Sequence, residues 1–352
     1  MTRASLLVFA LLAAALCVGA HAADRDCRLK LIASVDMTYD SLGRPTVPVI
    51  INGRTVKMLL DTGAFETNVI EQALGELKLH VHKHSGPVAF VSYGMPITES
   101  ATADTFAFAG MRRDSTELLV LPKAFTAVRG KEDSSQQDDA SAAAPEAAAT
   151  AAQTPDQTEE PIDLSAKEWV GTIGLDILQS FDIELDFGKN KLNLFSPDRC
   201  HGIDPVYWTN TPFAEAALEA MPNSDAHVQF HATLDGHGVD ALLDTGASHT
   251  TTNFAVARLL GVSRDDPLLT DLDGKPLKPD TEVMMRYPFK ALSFDALTIT
   301  NPKINLFPYA EYFNGRLLGG TSTIILGMDV LRRLHIYISY KEGAVYLTPA
   351  GS

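Results

Sequence analysis

The chain is poor in cysteine, in positive charge and in long apolar runs. It has three cysteines in 352 residues, Cys17, Cys27 and Cys200, and no Cys-x-x-Cys pair. Cysteines so far apart do not make a zinc site. Lys and Arg total 29 against 44 Asp and Glu, for a formal net charge of −15. Phosphate binding needs clustered basic residues, so this balance argues against nucleic acid as a partner. The longest apolar run, Leu6 to Val18, falls short of the roughly twenty residues that cross a bilayer. His80, His82 and His84 alternate, which on a strand would place three imidazoles on one face. They lack an Asp, Glu or Cys at a companion ligand spacing, so a solvated loop is expected there rather than a metal site.

What is present begins with a signal-type N-terminus. Arg3 precedes the apolar run, and Ala20-His21-Ala22 supplies small residues for cleavage after residue 22. An exported protein, periplasmic or secreted, is expected. Removal of residues 1–22 would leave Cys27 and Cys200, an even count that suits one disulfide. The length suggests about two domains.

The chain then repeats itself. VPVIINGRTVKMLLDTGA, Val47 to Ala64, aligns without a gap on FHATLDGHGVDALLDTGA, Phe230 to Ala247, at a shift of 183. Asn52-Gly53 and Asp235-Gly236 are hairpin-turn dipeptides in both copies. A second block, Ile173 to Phe187, aligns on Leu326 to Tyr340 at a shift of 153. Each copy of it carries two apolar residues, a Gly and then Asp176 or Asp329, read as the N-cap of a short helix. A period-two strand should follow. A brief helix is expected after each DTGA, from Phe254 to Leu260 in the second copy with Gly261 at its C-terminus.

The two shifts differ by 30 residues, so the first copy should hold an insertion of that length. Lys131 to Glu160 has nine Ala, eight Asp or Glu, one Lys and no Val, Ile, Leu or aromatic residue. Such a segment buries too little apolar area to offset its ordering entropy, and it reads as a disordered acidic insertion. Ser196 to Asp225 contains four prolines and reads as a linker, with a helix near Ala214–Ala220. The expected division is a signal segment 1–22, a first lobe 23–195 carrying the insertion 131–160, a linker 196–225 and a second lobe 226–352.

An Asp-Thr-Gly after an apolar strand delivers a carboxylate at the strand's end. Thr62 and Thr245 can brace the turn, and Gly63 and Gly246 allow close backbone approach. Two such turns related by a pseudo-twofold axis bring two carboxyls together, and the pair then titrates as a unit. An ionised member can take a proton from water while a protonated one polarises a peptide carbonyl.

The repeated DTGA after an apolar pair, with a later apolar-apolar-Gly segment in each half, resembles the retropepsin and pepsin group of aspartic proteases. Within that group the chain is similar to bacterial, exported, two-lobed retropepsin-like proteins. The resemblance implies an all-β fold, two pseudo-symmetric acid-protease lobes of six to eight strands with an active-site cleft between them. It implies an aspartic endopeptidase with Asp61 and Asp244 as its catalytic pair, using neither metal nor cofactor. Thr62 and Thr245 would hydrogen-bond across the lobe interface. A flap hairpin is implied at Val88 to Thr98, with Tyr93-Gly94 near its tip, and a second at Thr270 to Val283, with Asp273-Gly274. The expected partner is a peptide or protein substrate, and the expected state a monomer whose lobes pair within one chain. In such a fold the ends of the first lobe lie close, which would let Cys27 reach Cys200. Phe65-Glu66 stands where the second copy has Ser248-His249, a departure expected to narrow the cleft or disturb the bonding of the first carboxylate. The alternative is a noncatalytic peptide-binding or envelope assembly protein of the same fold.

Overall fold

The computed structural model describes residues 28–85, 89–90, 96–123, 164, 167–200, 204–219, 227–277, 283–308 and 323–351. The expected signal segment, Cys27, the expected flap-tip residues Tyr93 and Gly94, and the expected insertion 131–160 lie outside the described residues.

Both repeats fold as hairpins. Pro45–Ile51 pairs antiparallel with Arg54–Leu60, and Gln229–Leu234 pairs antiparallel with His237–Leu243. The turns require positive φ at two successive positions, and Asn52 and Gly53, then Asp235 and Gly236, supply it. Each second strand ends in two leucines with almost no exposure and delivers the Asp-Thr-Gly at its end.

The first lobe is an eight-stranded sheet. Its centre places Gly171–Ile173 between Arg54–Leu60, which it joins in parallel, and Asn68–Ile70, which it meets antiparallel. The second lobe repeats this plan in a nine-stranded sheet, with Thr323–Leu326 between His237–Leu243 and Thr251–Asn253. Nine strands exceed the six to eight expected. The architecture is all-β apart from short helical turns.

A third, six-stranded sheet joins the lobes, in the order Leu31–Asp36, Lys191–Phe195, Asp182–Asp186, Leu334–Ser339, Ala344–Pro349, Ala214–Ala217. Its centre is the antiparallel pairing of Asp182–Asp186 with Leu334–Ser339. These are equivalent strands of the two repeats, so the pseudo-twofold axis runs between them.

Several local expectations are corrected. Ala214–Ala217 is a strand, not a helix, because it hydrogen-bonds along Ala344–Pro349 at the sheet edge. So short a run has little helix stability of its own, and tertiary pairing decides its state. His80–Lys83 is an exposed edge strand rather than a loop. His82 on it bonds Thr102 of the next strand, and His84, just past its end, bonds Ser100 of the same neighbour. None of the three joins a metal-competent group among the described residues. The helix Phe254–Leu259 forms where expected, capped by the Asn253 side chain, with Gly261 at φ +87° just past its end. Its counterpart in the first lobe is a single 3-10 turn, Glu71–Ala73.

Candidate active site

The two Asp-Thr-Gly turns are built alike. The Asp61 amide donates to the Ile173 carbonyl and the Asp244 amide to that of Leu326, both at 3.1 Å. The inserted central strand thus fixes the start of each turn. Inside the turn, the Gly63 amide donates to Asp61 Oδ1 at 2.9 Å, and the Gly246 amide to Asp244 Oδ1 at 2.8 Å. The Ala247 amide adds a second bond to Asp244 Oδ1 at 3.1 Å. Phe65 therefore leaves the Gly63–Asp61 bond intact.

The turns interlock through their threonines, both with no solvent exposure. Thr62 Oγ1 donates to the Leu243 carbonyl at 2.8 Å and accepts from the Thr245 amide at 3.1 Å. Thr245 Oγ1 donates to the Leu60 carbonyl at 2.5 Å and accepts from the Thr62 amide at 3.1 Å. Four buried hydrogen bonds therefore tie one lobe's turn to the other's.

The glycines place the carboxyls. A Cβ on Gly63 would sit 2.5 Å from Asp244 Cγ and 2.7 Å from both its oxygens. A Cβ on Gly246 would collide with the Asp61 carboxyl in the same way. Each carboxyl thus lies against the backbone of the opposite turn, where only glycine leaves room.

Each turn is braced from behind. The Gly174 and Gly327 amides donate to Thr67 Oγ1 and Thr250 Oγ1, both at 3.1 Å. Thr67 donates through its amide and hydroxyl to Asp176 Oδ1 at 2.8 and 2.7 Å, and Thr250 does the same to Asp329 Oδ1. Asp176 and Asp329 are therefore not N-caps. Gly174 and Gly327 hold those positions in extended conformation, and the Asp side chains turn back to the threonines that follow the Asp-Thr-Gly turns. Gly is needed there because a Cβ would strike the backbone of Glu66 or His249. Burial raises the pKa of Asp176 above the ordinary carboxylate value, with the Thr67 bonds pulling it back. Sequence reading missed both threonines, although Thr67 and Thr250 are themselves related by the shift of 183.

His227 was also missed. It precedes the first strand of the second lobe, yet its Nε2 lies 3.1 Å from the Gly63 carbonyl of the first lobe. Its ring meets Phe65 edge-on, with centroids 4.1 Å apart. The departure at Phe65 is thus accommodated by a lobe-to-lobe aromatic contact. The lost signal is positional, since His227 and Arg44 each lie 17 residues before an active-site Asp.

In the expected first flap segment, Ala89–Phe90 pairs antiparallel with Pro96–Ile97. In the second lobe, Thr270–Asp271 pairs with Met285–Pro288, and Gly274 turns the chain at φ +81°. Asp273 there approaches Lys275 at 3.4 Å, in an exposed turn. No described contact joins Asp273 or Gly274 to the seam. Cys200 is disulfide-bonded, while Cys27 is outside the described residues.

No helix among the described residues is long and apolar enough to cross a membrane. No curated protein matches the chain. A family model described as aspartyl protease matches residues 47–139 and again 230–330. The two matches fall on the two lobes, each covering one Asp-Thr-Gly. With more than half of its length matched in this way, the chain belongs to the aspartyl protease family.

Proposed function

We propose that this protein is an endopeptidase that hydrolyses peptide bonds by activating water between Asp61 and Asp244. The observation that carries the reading is the reciprocal packing of each carboxyl on the opposite turn's glycine. A water held between the two acids meets an ionised carboxyl that can take its proton and a protonated one that can hydrogen-bond the scissile carbonyl. Aspartic proteases are the standing example of such a pair. Collapse of the tetrahedral intermediate then returns a proton to the leaving amine, with no covalent enzyme intermediate. The threonine latch holds the two Asp-bearing turns in register. The antiparallel pairing of Ala89–Phe90 with Pro96–Ile97, in the segment expected to form the first-lobe flap, supports an extended peptide as substrate. The signal-type N-terminus supports work in the periplasm or outside the cell.

Asp61→Asn and Asp244→Asn test the assignment. Each should lower cleavage of a peptide library by at least about a hundredfold, with far-ultraviolet circular dichroism unchanged. The parent should give a bell-shaped pH profile, because activity needs one proton on the pair. A parent that binds peptides without cleaving them would point to the noncatalytic reading. Near-parent activity in either variant would refute the two-lobe pair.

A further inference from the structure

His227 stands apart from the machinery so far described. Its side chain belongs to the second lobe but is committed to the first lobe's catalytic turn. It is 3% exposed. The Gly63 carbonyl can only accept, so Nε2 must carry the hydrogen of their 3.1 Å bond. In the neutral ring Nδ1 is then a bare lone pair. That atom is buried and has no hydrogen-bond partner among the described residues. Phe65 covers the ring edge-on, and Asp61 is the charged group whose field reaches it.

The corresponding position in the first lobe holds Arg44. That guanidinium is permanently charged, paired with Asp40 at 2.6 Å and set near the Trp169 ring. The duplicated lobe therefore keeps a fixed, satisfied cation at one site and a titratable, half-satisfied ring at the other. The titratable one sits on the Asp61 side.

We propose that His227 is a positioning residue for Asp61: as the neutral Nε2–H tautomer it holds the Gly63 carbonyl across the lobe seam, and a proton gained at Nδ1 loosens that hold. Protonation would put a charged N–H into a buried, apolar contact with no acceptor. Relief requires the ring to leave Phe65 and Gly63, and Gly63 carries the amide that orients Asp61. Burial lowers the His227 pKa, with the Gly63 carbonyl and Asp61 pulling it partly back up. The sign follows. The stability of this contact is complete above the ordinary imidazole value and is lost as pH falls through the lowered one. His227 thereby adds an acid limb to the activity profile, separate from the titration of the carboxyl pair.

The inference rests on the endopeptidase reading for its kinetic test, and a second test is free of it. His227→Gln keeps an N–H donor for Gly63 but cannot titrate in this range, and His227→Leu has no donor. With a peptide substrate, the Gln variant should stay within about threefold of parent kcat near neutral pH. Its acid limb should move down by at least about one pH unit. The Leu variant should lose about tenfold in kcat, with KM little changed. Independently of cleavage, the His227 imidazole should titrate by NMR below the ordinary histidine value. The parent's urea midpoint should also fall with acidification more steeply than that of the Gln variant. Superimposable acid limbs in parent and Gln variant overturn the proposal. So does imidazole titration at or above the ordinary value, or identical pH dependence of the two midpoints. If the parent cleaves nothing at any pH, the endopeptidase reading fails alone, and the NMR and unfolding arms still decide the role of His227.

Discussion

At the scale of residues, the threonine latch concentrates stability in a few atoms. Thr245 Oγ1 serves both the Leu60 carbonyl and the Thr62 amide. Removing it leaves a buried acceptor and a buried donor unpaired at a site closed to water. Thr245→Ala should therefore cost about 3 kcal/mol in urea denaturation, while Thr245→Ser, which keeps the hydroxyl, should cost less than about 1 kcal/mol. A loss below that lower figure in the Ala variant would mean the lobes are held elsewhere. The Asp-Thr-Gly triplets were legible because each is a contiguous signal repeated in one strand context. Thr67, Thr250 and His227 were not, because their partners lie far off in sequence. Asp176 shows the same limit: its position at a helix start suggests a cap, but its acceptor is spent on Thr67, 109 residues away.

At the scale of elements, the hairpins before the active-site loops could be read from Asn-Gly, Asp-Gly and apolar alternation. The sheet that joins the lobes could not. Asp182, Glu184 and Asp186 alternate with Ile183 and Leu185, a pattern that signals a strand with one face in water. In the structure all five residues are buried. The acids face a layer of donors instead. Glu184 accepts from Tyr207 and Asn193, both at 2.8 Å, and pairs with His335 at 2.7 Å. Asp182 accepts from Tyr337 at 3.1 Å and Ser339 at 3.0 Å, and meets Arg199 at 3.3 Å. Trp208, from the segment expected to be a linker, stacks on His335 at 4.0 Å. That segment thus covers the sheet as well as crossing between lobes. Glu184→Leu would strand the Tyr207, Asn193 and His335 groups together. It should cost about 3 kcal/mol by urea denaturation and should weaken the docking of Trp208, read as a red shift in native tryptophan emission. A variant as stable as the parent would show that the acid row contributes nothing net.

At the scale of the whole molecule, the same strand decides which lobe pairs with which. Glu184 lies opposite Tyr337 and Asp186 opposite His335. Because Tyr337 is the repeat equivalent of Glu184, a first lobe paired with another first lobe would set Glu184 against Glu184 and Asp186 against Asp182. The hydroxyls of Tyr337 and Ser339 and the ring of His335 would be gone. Buried carboxyls without such partners cost several kcal/mol each, so self-pairing of first lobes is disfavoured by the sequence of one strand. Pairing between the two different lobes is favoured, and a connection of about thirty residues raises its effective concentration to roughly millimolar. The protein should therefore be a monomer in which its own two lobes pair. Sedimentation equilibrium at micromolar concentration should give the mass of one chain, without concentration dependence. Asp182→Asn/Glu184→Gln/Asp186→Asn, which neutralises the acid row, should relax the discrimination and allow some exchange of lobes between chains at high concentration. A parent that sediments as a dimer at micromolar concentration would show that the lobes find each other between chains, and that the linker's effective concentration does not decide the pairing.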